Sequence, residues 1–520
     1  MNGARSLLRT FVEQGIELCF ANPGTSEMHA VAALADTPGI RGSLVLFEGV
    51  ATGAADGYAR MSGLPAATLL HLGPGLANGL SNLHNARRAS SPVVNVIGDH
   101  ASYHRALDAP LTTDVEGTAR LFSDWVRTSS GADVVAGDGA DAVAASRSGR
   151  VASLILPADA AWNRAAEPVT PSPGRPVHDP DGPAADELAV EAAAEAMRSA
   201  GPRSAILFGG SASGAEGLRL AAEVGAWTGA EVLVSTHIAR VPRGAGRHPA
   251  TRVPYPVDAA RELFDRFDTI VLVGAAPPVA FFAYPDKRSR LTRPGTRFVE
   301  LCSVRVNPVP TLHALLESVI GSGHGASARP AVLKLPARPT GGITPEKLAA
   351  FLATAIPENG IVVDESITTG RSFQPATVSA RPHDWLSGTG GSIGYAMPVA
   401  VGAAMACPDR PVLTLESDGS GLYMPQALWT QAREGLHIVT LVFANRRYQI
   451  LRNEMANVGV RDLGEQSRAL LDLDRPTIDW VSLARSFGVP AAHVETMDEL
   501  GRTVDRALAS AGPTLIEVSI

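Results

Sequence analysis

Short apolar runs alternate with helical stretches over the first 165 residues of the chain. Apolar runs of this length are typical of buried strands. Strands that alternate with helices indicate an α/β unit with a parallel sheet. We therefore predict such a unit here, with strands at Ile16–Phe20, Ser43–Phe47, Ala66–His71, Val93–Ile97 and Val151–Leu156.

Two more blocks repeat this alternation. The predicted strands of the second block are Ala205–Phe208, Glu231–Val234, Thr269–Val273 and Arg297–Leu301, and those of the third are Ile361–Asp364, Val412–Leu415 and Ile438–Phe443, before a closing apolar run at Thr514–Ile520. A proline-rich stretch with few apolar residues separates the first two blocks, which is typical of a surface linker.

The pattern predicts three doubly wound α/β domains with parallel sheets. We place an N-terminal domain at residues 1–165, a linker at 166–185, a central domain at 186–325 and a C-terminal domain at 343–520. A chain of 520 residues exceeds what one hydrophobic core usually supports, which agrees with three domains.

Composition and charge narrow the class of partner. The net charge is only −7, and the arginines are scattered, so we expect no nucleic-acid partner and favour a small molecule. The three cysteines, Cys19, Cys302 and Cys407, have no CxxC spacing, which indicates a reducing compartment. The sequence shows neither a signal-peptide pattern at its start nor an apolar span of membrane length, so we expect a cytoplasmic protein without a membrane partner.

Polar residues directly after the apolar runs are the first candidates for chemistry, because open parallel sheets bind ligands beyond the carboxyl ends of their strands. Glu48 follows the run Ser43–Phe47. A carboxyl group there can exchange a proton with a ring nitrogen. The ordinary alternative for a single glutamate at this place is a helix cap or an ion pair.

Asp418 and Asn445 follow the runs Val412–Leu415 and Ile438–Phe443 and lie 27 residues apart (445 − 418). That spacing is about one helix plus one strand, so both oxygen ligands are expected at the same edge of neighbouring strands. Mg²⁺ prefers such oxygen ligands together with phosphates, and Gly419 and Ser420 can offer N–H groups to an anion. Taken alone, an Asp-Gly-Ser turn is also common without any ligand.

These paired motifs resemble those of enzymes that depend on thiamine diphosphate (ThDP), in which Gly-Asp-Gly-Ser and a later Asn-Asn anchor the cofactor. Ser417 replaces the first glycine and Ala444 the first asparagine, while the cofactor and metal residues Asp418, Gly419, Ser420 and Asn445 remain. The resemblance implies that ThDP and Mg²⁺ bind here, with the main-chain carbonyl of Arg447 as a further metal ligand.

The resemblance runs nearly end to end and is closest to benzoylformate decarboxylase and the large subunit of acetolactate synthase. It implies that the N-terminal domain binds the pyrimidine and the C-terminal domain the diphosphate and Mg²⁺. Glu48 matches the family glutamate that contacts the pyrimidine N1′. Gly391 and Ile393 match the segment that binds the aminopyrimidine and bends the cofactor. Because such active sites lie between subunits, a homodimer or homotetramer is implied.

The resemblance also bears on the reaction. His71 matches an active-site histidine of benzoylformate decarboxylase that acetolactate synthases lack. The alternative interpretation is a structural histidine that is hydrogen-bonded at the end of a strand. Thr25 matches a serine that contacts the substrate carboxylate, whereas Ser26 is a candidate helix cap. Phe282 stands where the decarboxylase has a second catalytic histidine. The stretch Gly274–Tyr284 replaces the FAD-binding segment of acetolactate synthases, which argues against FAD.

The resulting hypothesis is ThDP- and Mg²⁺-dependent decarboxylation of a 2-oxo acid, with carboligation as an additional activity. An aromatic or bulky apolar acid is favoured because Phe281 and Phe282 extend an apolar wall. An acetolactate synthase-like carboligase is the nearest alternative. The second alternative is a non-catalytic ThDP-binding or interaction homologue, suggested by Ser417 and Ala444. A nicotinamide-dependent dehydrogenase fits less well, because no dinucleotide-binding fingerprint is complete.

Overall fold

The computed structural model describes residues 1–169, 186–321, 327–460 and 464–520. Most of the predicted linker at 166–185 therefore lies outside the described residues. The described chain forms three α/β blocks, each built on its own sheet of mainly parallel strands.

The first block has a six-stranded, fully parallel sheet in the order β2-β1-β3-β4-β6-β5. Helices cover the sheet, so its central strands are buried, as expected for parallel strands. The strands are β1 (Leu18–Ala21), β2 (Arg41–Leu44), β3 (Ala66–His71), β4 (Val93–Asp99), β5 (Trp125–Thr128) and β6 (Val151–Pro157). The helices are α1 (Gly3–Glu13), α2 (Met28–Ala35), α3 (Glu48–Ser62), α4 (Leu72–Ala89), α5 (Val115–Phe122), α6 (Val135–Arg147) and α7 (Ala158–Trp162).

The second block has a five-stranded parallel sheet in the order β10-β8-β7-β11-β12. Its part of the chain has the strands β7 (Ser204–Phe208), β8 (Glu231–Val234), β9 (Arg240–Arg243), β10 (Thr251–Arg252), β11 (Thr269–Val273) and β12 (Arg297–Cys302). Its helices are α8 (Glu187–Ala200), α9 (Ala215–Thr228), α10 (Val257–Phe264) and α11 (Pro308–Val319). Strand β9 leaves this sheet and extends the third one.

The third block has a seven-stranded sheet in the order β17-β18-β16-β15-β13-β14-β9, in which only β9 is antiparallel. Its own strands are β13 (Gly360–Glu365), β14 (His383–Ser387), β15 (Val412–Ser417), β16 (Ile438–Ala444), β17 (Ala491–Val494) and β18 (Thr514–Ser519). Its helices are α12 (Pro345–Ala355), α13 (Phe373–Ala376), α14 (Ala396–Ala406), α15 (Ala427–Glu434), α16 (Gln449–Asn457), α17 (Glu465–Ala469), α18 (Trp480–Ser486) and α19 (Met497–Ala509).

Helices α3 and α14 join the first and third blocks through small residues. A Cβ atom added to Gly402 would lie 1.8 Å from the main-chain oxygen of Ala54, and one added to Gly57 would lie 2.0 Å from that of Val399. The two backbones therefore pack closer than side chains would allow. This contact fixes the start of α3, where Glu48 lies, relative to the third sheet.

The predicted strand Ser43–Phe47 is displaced in the structure, because β2 ends at Leu44. Phe47 instead has an extended backbone as the residue that precedes α3. The run stays apolar because Val45 is fully buried within the connection. Apolar content alone therefore did not mark the end of the strand.

A cavity of about 890 Å³ lies where the three blocks meet. Its walls include Arg60, Gly214, His383 and Arg410, and none of the candidate site residues. Among the described helices, none has both the length and the apolar character needed to cross a membrane.

Candidate active site

Glu48 is the first residue of α3 and is almost fully buried. The amide of Asn78 donates to its Oε2 at 3.0 Å. A Cβ atom at Gly75 would lie 3.1 Å from the other carboxyl oxygen, so the glycine leaves room for it. Among the described residues Glu48 forms no salt bridge. The carboxyl group is therefore held by a neutral donor.

His71 ends β3, as predicted, and its Nδ1 lies 2.8 Å from Oε2 of Glu27. The same carboxyl oxygen accepts the N–H of Gly24 at 2.7 Å. Glu27 is 2% exposed, so the contact is shielded from water. Since a carboxylate only accepts, the imidazole donates through Nδ1, which leaves Nε2 for other contacts.

Thr25 lies beside this pair. It is exposed, and it opens the short 3₁₀ turn Thr25–Glu27. The residue before it, Gly24, touches His71 so closely that a Cβ atom there would be 2.3 Å from Nδ1. Ser26, the candidate helix cap, lies inside this turn, and the turn is capped through Gly24 and Glu27 instead. Sequence reasoning missed Glu27, whose partner is 44 residues away.

Asp418 and Asn445 follow β15 and β16, which are adjacent and parallel with Ser417 opposite Phe443. The carboxylate of Asp418 accepts the N–H of Arg446, the residue after Asn445, so the two loops are in contact. Burial raises the pKa of Asp418 to about 6. Two oxygen-bearing side chains thus leave neighbouring strands at one edge of the sheet.

The turn after Asp418 is tightly packed. A Cβ atom at Gly419 would lie 2.6 Å from the ring of Tyr448, so only glycine fits. Ser420 donates its hydroxyl to Oε1 of Glu416 at 2.5 Å. Ser417, which replaces the family glycine, donates its hydroxyl to the main-chain oxygen of Glu365 at 2.8 Å. The hydroxyl of Ser417 is therefore hydrogen-bonded within the protein.

The main-chain carbonyl of Arg447 accepts the N–H of Gln449 at 3.0 Å. A carbonyl oxygen has two lone pairs, so one remains for a metal ion. The side chain of Asn445 accepts the N–H of Arg447 at 3.1 Å, which fixes the loop.

A buried carboxyl pair lies directly behind this turn, and sequence reasoning missed it. Glu365 and Glu416 are register partners on β13 and β15. Both are at most 2% exposed, and burial raises the pKa of both carboxyl groups, that of Glu365 to about 8. Their negative charges oppose each other as well, so the pair favours holding a proton at neutral pH.

Gly391 and Ile393 lie in the connection between β14 and α14. Gly391 has a φ of +79°, a left-handed conformation that favours glycine, and it is exposed. Ile393 is half-buried. The ring of Phe281 covers Gly391, since an added Cβ would lie 2.3 Å from it.

Phe281 and Phe282 form an exposed aromatic wall next to this connection. Their ring centroids are 4.9 Å apart, and their exposed fractions are 44% and 53%. Phe281 also packs at 5.0 Å against His237, whose Nδ1 lies 3.0 Å from the main-chain oxygen of Gly388. Burial lowers the pKa of His237.

These features define the class of protein. Three α/β blocks, a paired Asp/Asn edge on the third sheet and a buried glutamate at a helix start form the architecture of a ThDP enzyme. The chain matches the family model "Thiamine pyrophosphate enzyme, N-terminal TPP binding domain" over residues 1–118 and "Thiamine pyrophosphate enzyme, C-terminal TPP binding domain" over residues 370–518.

Named relatives agree with this class. The chain is 47% identical to a "Putative acetolactate synthase large subunit IlvX" of Mycobacterium tuberculosis, with 100% of this chain and 99% of the relative covered. It is 30% identical to benzoylformate decarboxylase of Pseudomonas aeruginosa, with 97% and 96% covered. The protein therefore belongs to the ThDP-dependent enzymes, in the acetolactate synthase and benzoylformate decarboxylase group.

Solved structures show the same fold. A ThDP-dependent 4-hydroxybenzoylformate decarboxylase of Rhodococcus jostii RHA1 superposes with a TM-score of 0.83 at 23% identity, covering 100% of this chain and 99% of that one. Benzoylformate decarboxylase of Polynucleobacter necessarius superposes with a TM-score of 0.82 at 20% identity, with the same coverage. The expected fold class and family are thus confirmed.

The residues present fit the cofactor. The turn at Gly419 has no space for a side chain, Asp418 and Asn445 offer hard oxygen ligands, and Gly391 is an exposed glycine in a left-handed conformation beside the ring of Phe281. These are the groups that a diphosphate, Mg²⁺ and an aminopyrimidine require.

Proposed function

We propose that this protein decarboxylates a 2-oxo acid with ThDP and Mg²⁺, with carboligation as an additional activity. The observation that carries the choice of decarboxylation is the His71–Glu27 pair at the end of β3, beside Thr25. An imidazole held in one orientation by a buried carboxylate is suited to transfer a proton to or from a reacting group.

The chain's own residues have separate tasks in this proposal. ThDP, when bound, supplies the electron sink for loss of carbon dioxide. Glu48 exchanges a proton with the pyrimidine N1′, and the Asn78 amide keeps its carboxyl group oriented. Asp418, Asn445 and the carbonyl of Arg447 hold Mg²⁺, while Gly419 and Ser420 contact the diphosphate. Gly391 and Ile393 hold the aminopyrimidine.

Thr25 and His71 act on the substrate side. In this proposal the hydroxyl of Thr25, an exposed residue, binds the substrate carboxylate. His71 donates a proton or assists product release through Nε2, because Nδ1 is engaged by Glu27. Phe281 and Phe282 present apolar surface, which favours an aromatic or bulky apolar 2-oxo acid.

An acetolactate synthase-like carboligase is the second candidate. The 47% identical relative carries that name, and the resemblance to the decarboxylase implies that Phe282 takes the place of its second histidine. In either case we propose a cytoplasmic homodimer or homotetramer with active sites between subunits, acting on a small 2-oxo acid and without FAD.

Product analysis separates the candidates. The protein, freed of metal and then supplied with ThDP and Mg²⁺, is incubated with pyruvate and with benzoylformate. Carbon dioxide and benzaldehyde from benzoylformate would support the decarboxylase. Acetolactate as the main product from pyruvate would support the synthase instead. No product from a wider panel of 2-oxo acids would contradict both candidate functions.

A further inference from the structure

Asn85 holds the segment that carries Gly391. Its Oδ1 accepts the N–H groups of Gly390 and Ser392, each at 3.2 Å, and its Nδ2 donates to the carbonyl of Ser392 at 2.9 Å. Asn85 is fully buried, and it lies on α4 in the first block, 305 residues before Gly390. The contact therefore joins the first block to the cofactor segment of the third.

Neighbouring groups reinforce this contact. The hydroxyl of Thr389 donates to the main-chain oxygen of Asn85 at 2.6 Å. His84 Nε2 lies 3.1 Å from the carbonyl of Gly390. From the other side, the two carboxyl oxygens of Glu365 accept the N–H groups of Gly394 at 2.6 Å and of Ala396 at 2.8 Å. The segment is thus held from two directions.

These bonds lie on both sides of Gly391 and Ile393. They use main-chain groups of Gly390, Ser392, Gly394 and Ala396. Within the described part of the chain, the main-chain groups of the intervening Gly391 and Ile393 have no hydrogen-bond partner. Because Gly391 is exposed and Ile393 is half-buried, these main-chain groups are within reach of a ligand.

The same face of α4 reaches Glu48. Asn78, Asn82 and Asn85 follow one another at i, i+4 and i+7, which places them on one side of the helix. Asn78 donates to Glu48, and Asn82 donates to the main-chain oxygen of Gly49 at 2.9 Å. One helical face therefore orients both the proposed proton-transfer residue and the cofactor segment.

We propose that Asn85 is a positioning residue for the cofactor: it holds Gly390–Ser392 so that the main-chain groups of Gly391 and Ile393 face the aminopyrimidine. Asn85 itself does not contact the cofactor. The inference rests on the proposed function only in that ThDP is the ligand. Main-chain binding groups are the same for every residue type, so a side chain such as Asn85 sets their position instead.

The test is the variant Asn85→Ala in the full chain, with Mg²⁺ present. We expect the calorimetric Kd and the apparent KM for ThDP to rise at least about tenfold, because three hydrogen bonds that orient the segment are lost. At saturating ThDP, kcat should stay within about threefold of wild type, because no reacting group is removed. A purely structural role would not produce this split between KM and kcat.

A matched control is Asn95→Ala. Asn95 is equally buried, on β4, and donates to Ser153 at 3.0 Å, away from the cofactor segment. It should lose stability without a change in ThDP affinity. If Asn85→Ala does not fold, Thr389→Val keeps the shape of the side chain and removes the hydroxyl, which donates to the main-chain oxygen of Asn85 and accepts from Arg60 at 3.2 Å. A Kd about threefold higher is expected.

The outcomes are distinguishable. ThDP affinity that is unchanged in Asn85→Ala, or in Thr389→Val where the former does not fold, would overturn the role of Asn85 while leaving the proposed function intact. An equal loss of affinity in Asn95→Ala would overturn it too. Absence of ThDP binding by the wild-type protein would overturn both the proposed function and this inference.

Discussion

Two buried glutamates lie near the carboxyl edge of the first sheet, and their partners separate their roles. Glu48 is bound by the neutral amide of Asn78, whereas Glu27 is bound by the imidazole of His71 and by the N–H of Gly24. Glu48 is therefore held by one neutral donor, whereas Glu27 holds a histidine in place.

The first prediction concerns Glu48→Gln. An amide cannot exchange a proton as a carboxyl group does, so kcat should fall about 10²- to 10⁴-fold. The side-chain shape is kept, so ThDP affinity should change by less than about threefold. Steady-state kinetics and calorimetry on the same preparation check this, and wild-type kcat would show that Glu48 is only a buried structural residue.

The second prediction concerns Glu27→Gln. Loss of the carboxylate removes the strongest contact that orients His71, so kcat should fall about tenfold or more while ThDP still binds. Glu13→Gln, at an exposed position in α1, is the control and should behave as wild type. Equal kcat in the two variants would mean that the His71–Glu27 contact only stabilises the strand end.

Part of the site could be predicted because two of its residues follow consecutive strands and lie close together in sequence. Asp418 and Asn445 were expected at one edge because consecutive parallel strands bring their carboxyl ends together, and the contact between their loops fits this expectation. Glu27, Asn85 and Glu365 could not be predicted in the same way. Their partners are distant in sequence, and nothing in their immediate surroundings indicates a ligand.

At the scale of elements, periodicity located most strands of the three sheets to within a few residues. It missed β5, β9, β10, β14 and β17. Strand β9 contains Pro242 and joins another block's sheet, and β14 begins with His383 and Asp384, so neither has the apolar run of a central strand. Their pairing depends on tertiary contacts that a local pattern does not contain.

The contact between α3 and α14 gives the third prediction. Gly402→Val would place side-chain atoms where the backbone of α3 lies, and overpacking of this kind costs about 3 kcal/mol or more in the free energy of unfolding. Denaturant unfolding followed by circular dichroism measures the change.

Gly137→Ala in α6 is the matched control. A Cβ atom there meets nothing within 4 Å, so the change should be neutral or stabilise the helix by up to about 1 kcal/mol. Wild-type stability of Gly402→Val would mean that α3 and α14 do not pack closely in solution.

At the scale of the whole molecule, the three blocks depend on each other. Strand β9 extends the third sheet, α3 packs on α14, and Arg60 of the first block donates to the main-chain oxygen of Ser387 at 2.7 Å. The cavity between the blocks is lined partly by His383, whose pKa is lowered by burial to about 4.

The fourth prediction follows from His383. In the unfolded chain its pKa is about 6.5, so between pH 4 and 6.5 the unfolded state binds a proton that the folded state does not. The free energy of unfolding should therefore fall as the pH decreases through this window, by up to about 3 kcal/mol from this group. His383→Gln should flatten the slope, as measured by unfolding midpoints between pH 4.5 and 7.5; an identical slope in both proteins would contradict the assignment.

The central claim is that this chain works through ThDP held by Mg²⁺ at Asp418 and Asn445, and calorimetric titration of metal-free protein with ThDP tests it most directly. We expect tight binding with Mg²⁺, weak binding without it, and loss of the Mg²⁺ effect in Asp418→Ala. Binding that is absent, or equally tight without Mg²⁺ and in Asp418→Ala, would contradict the account.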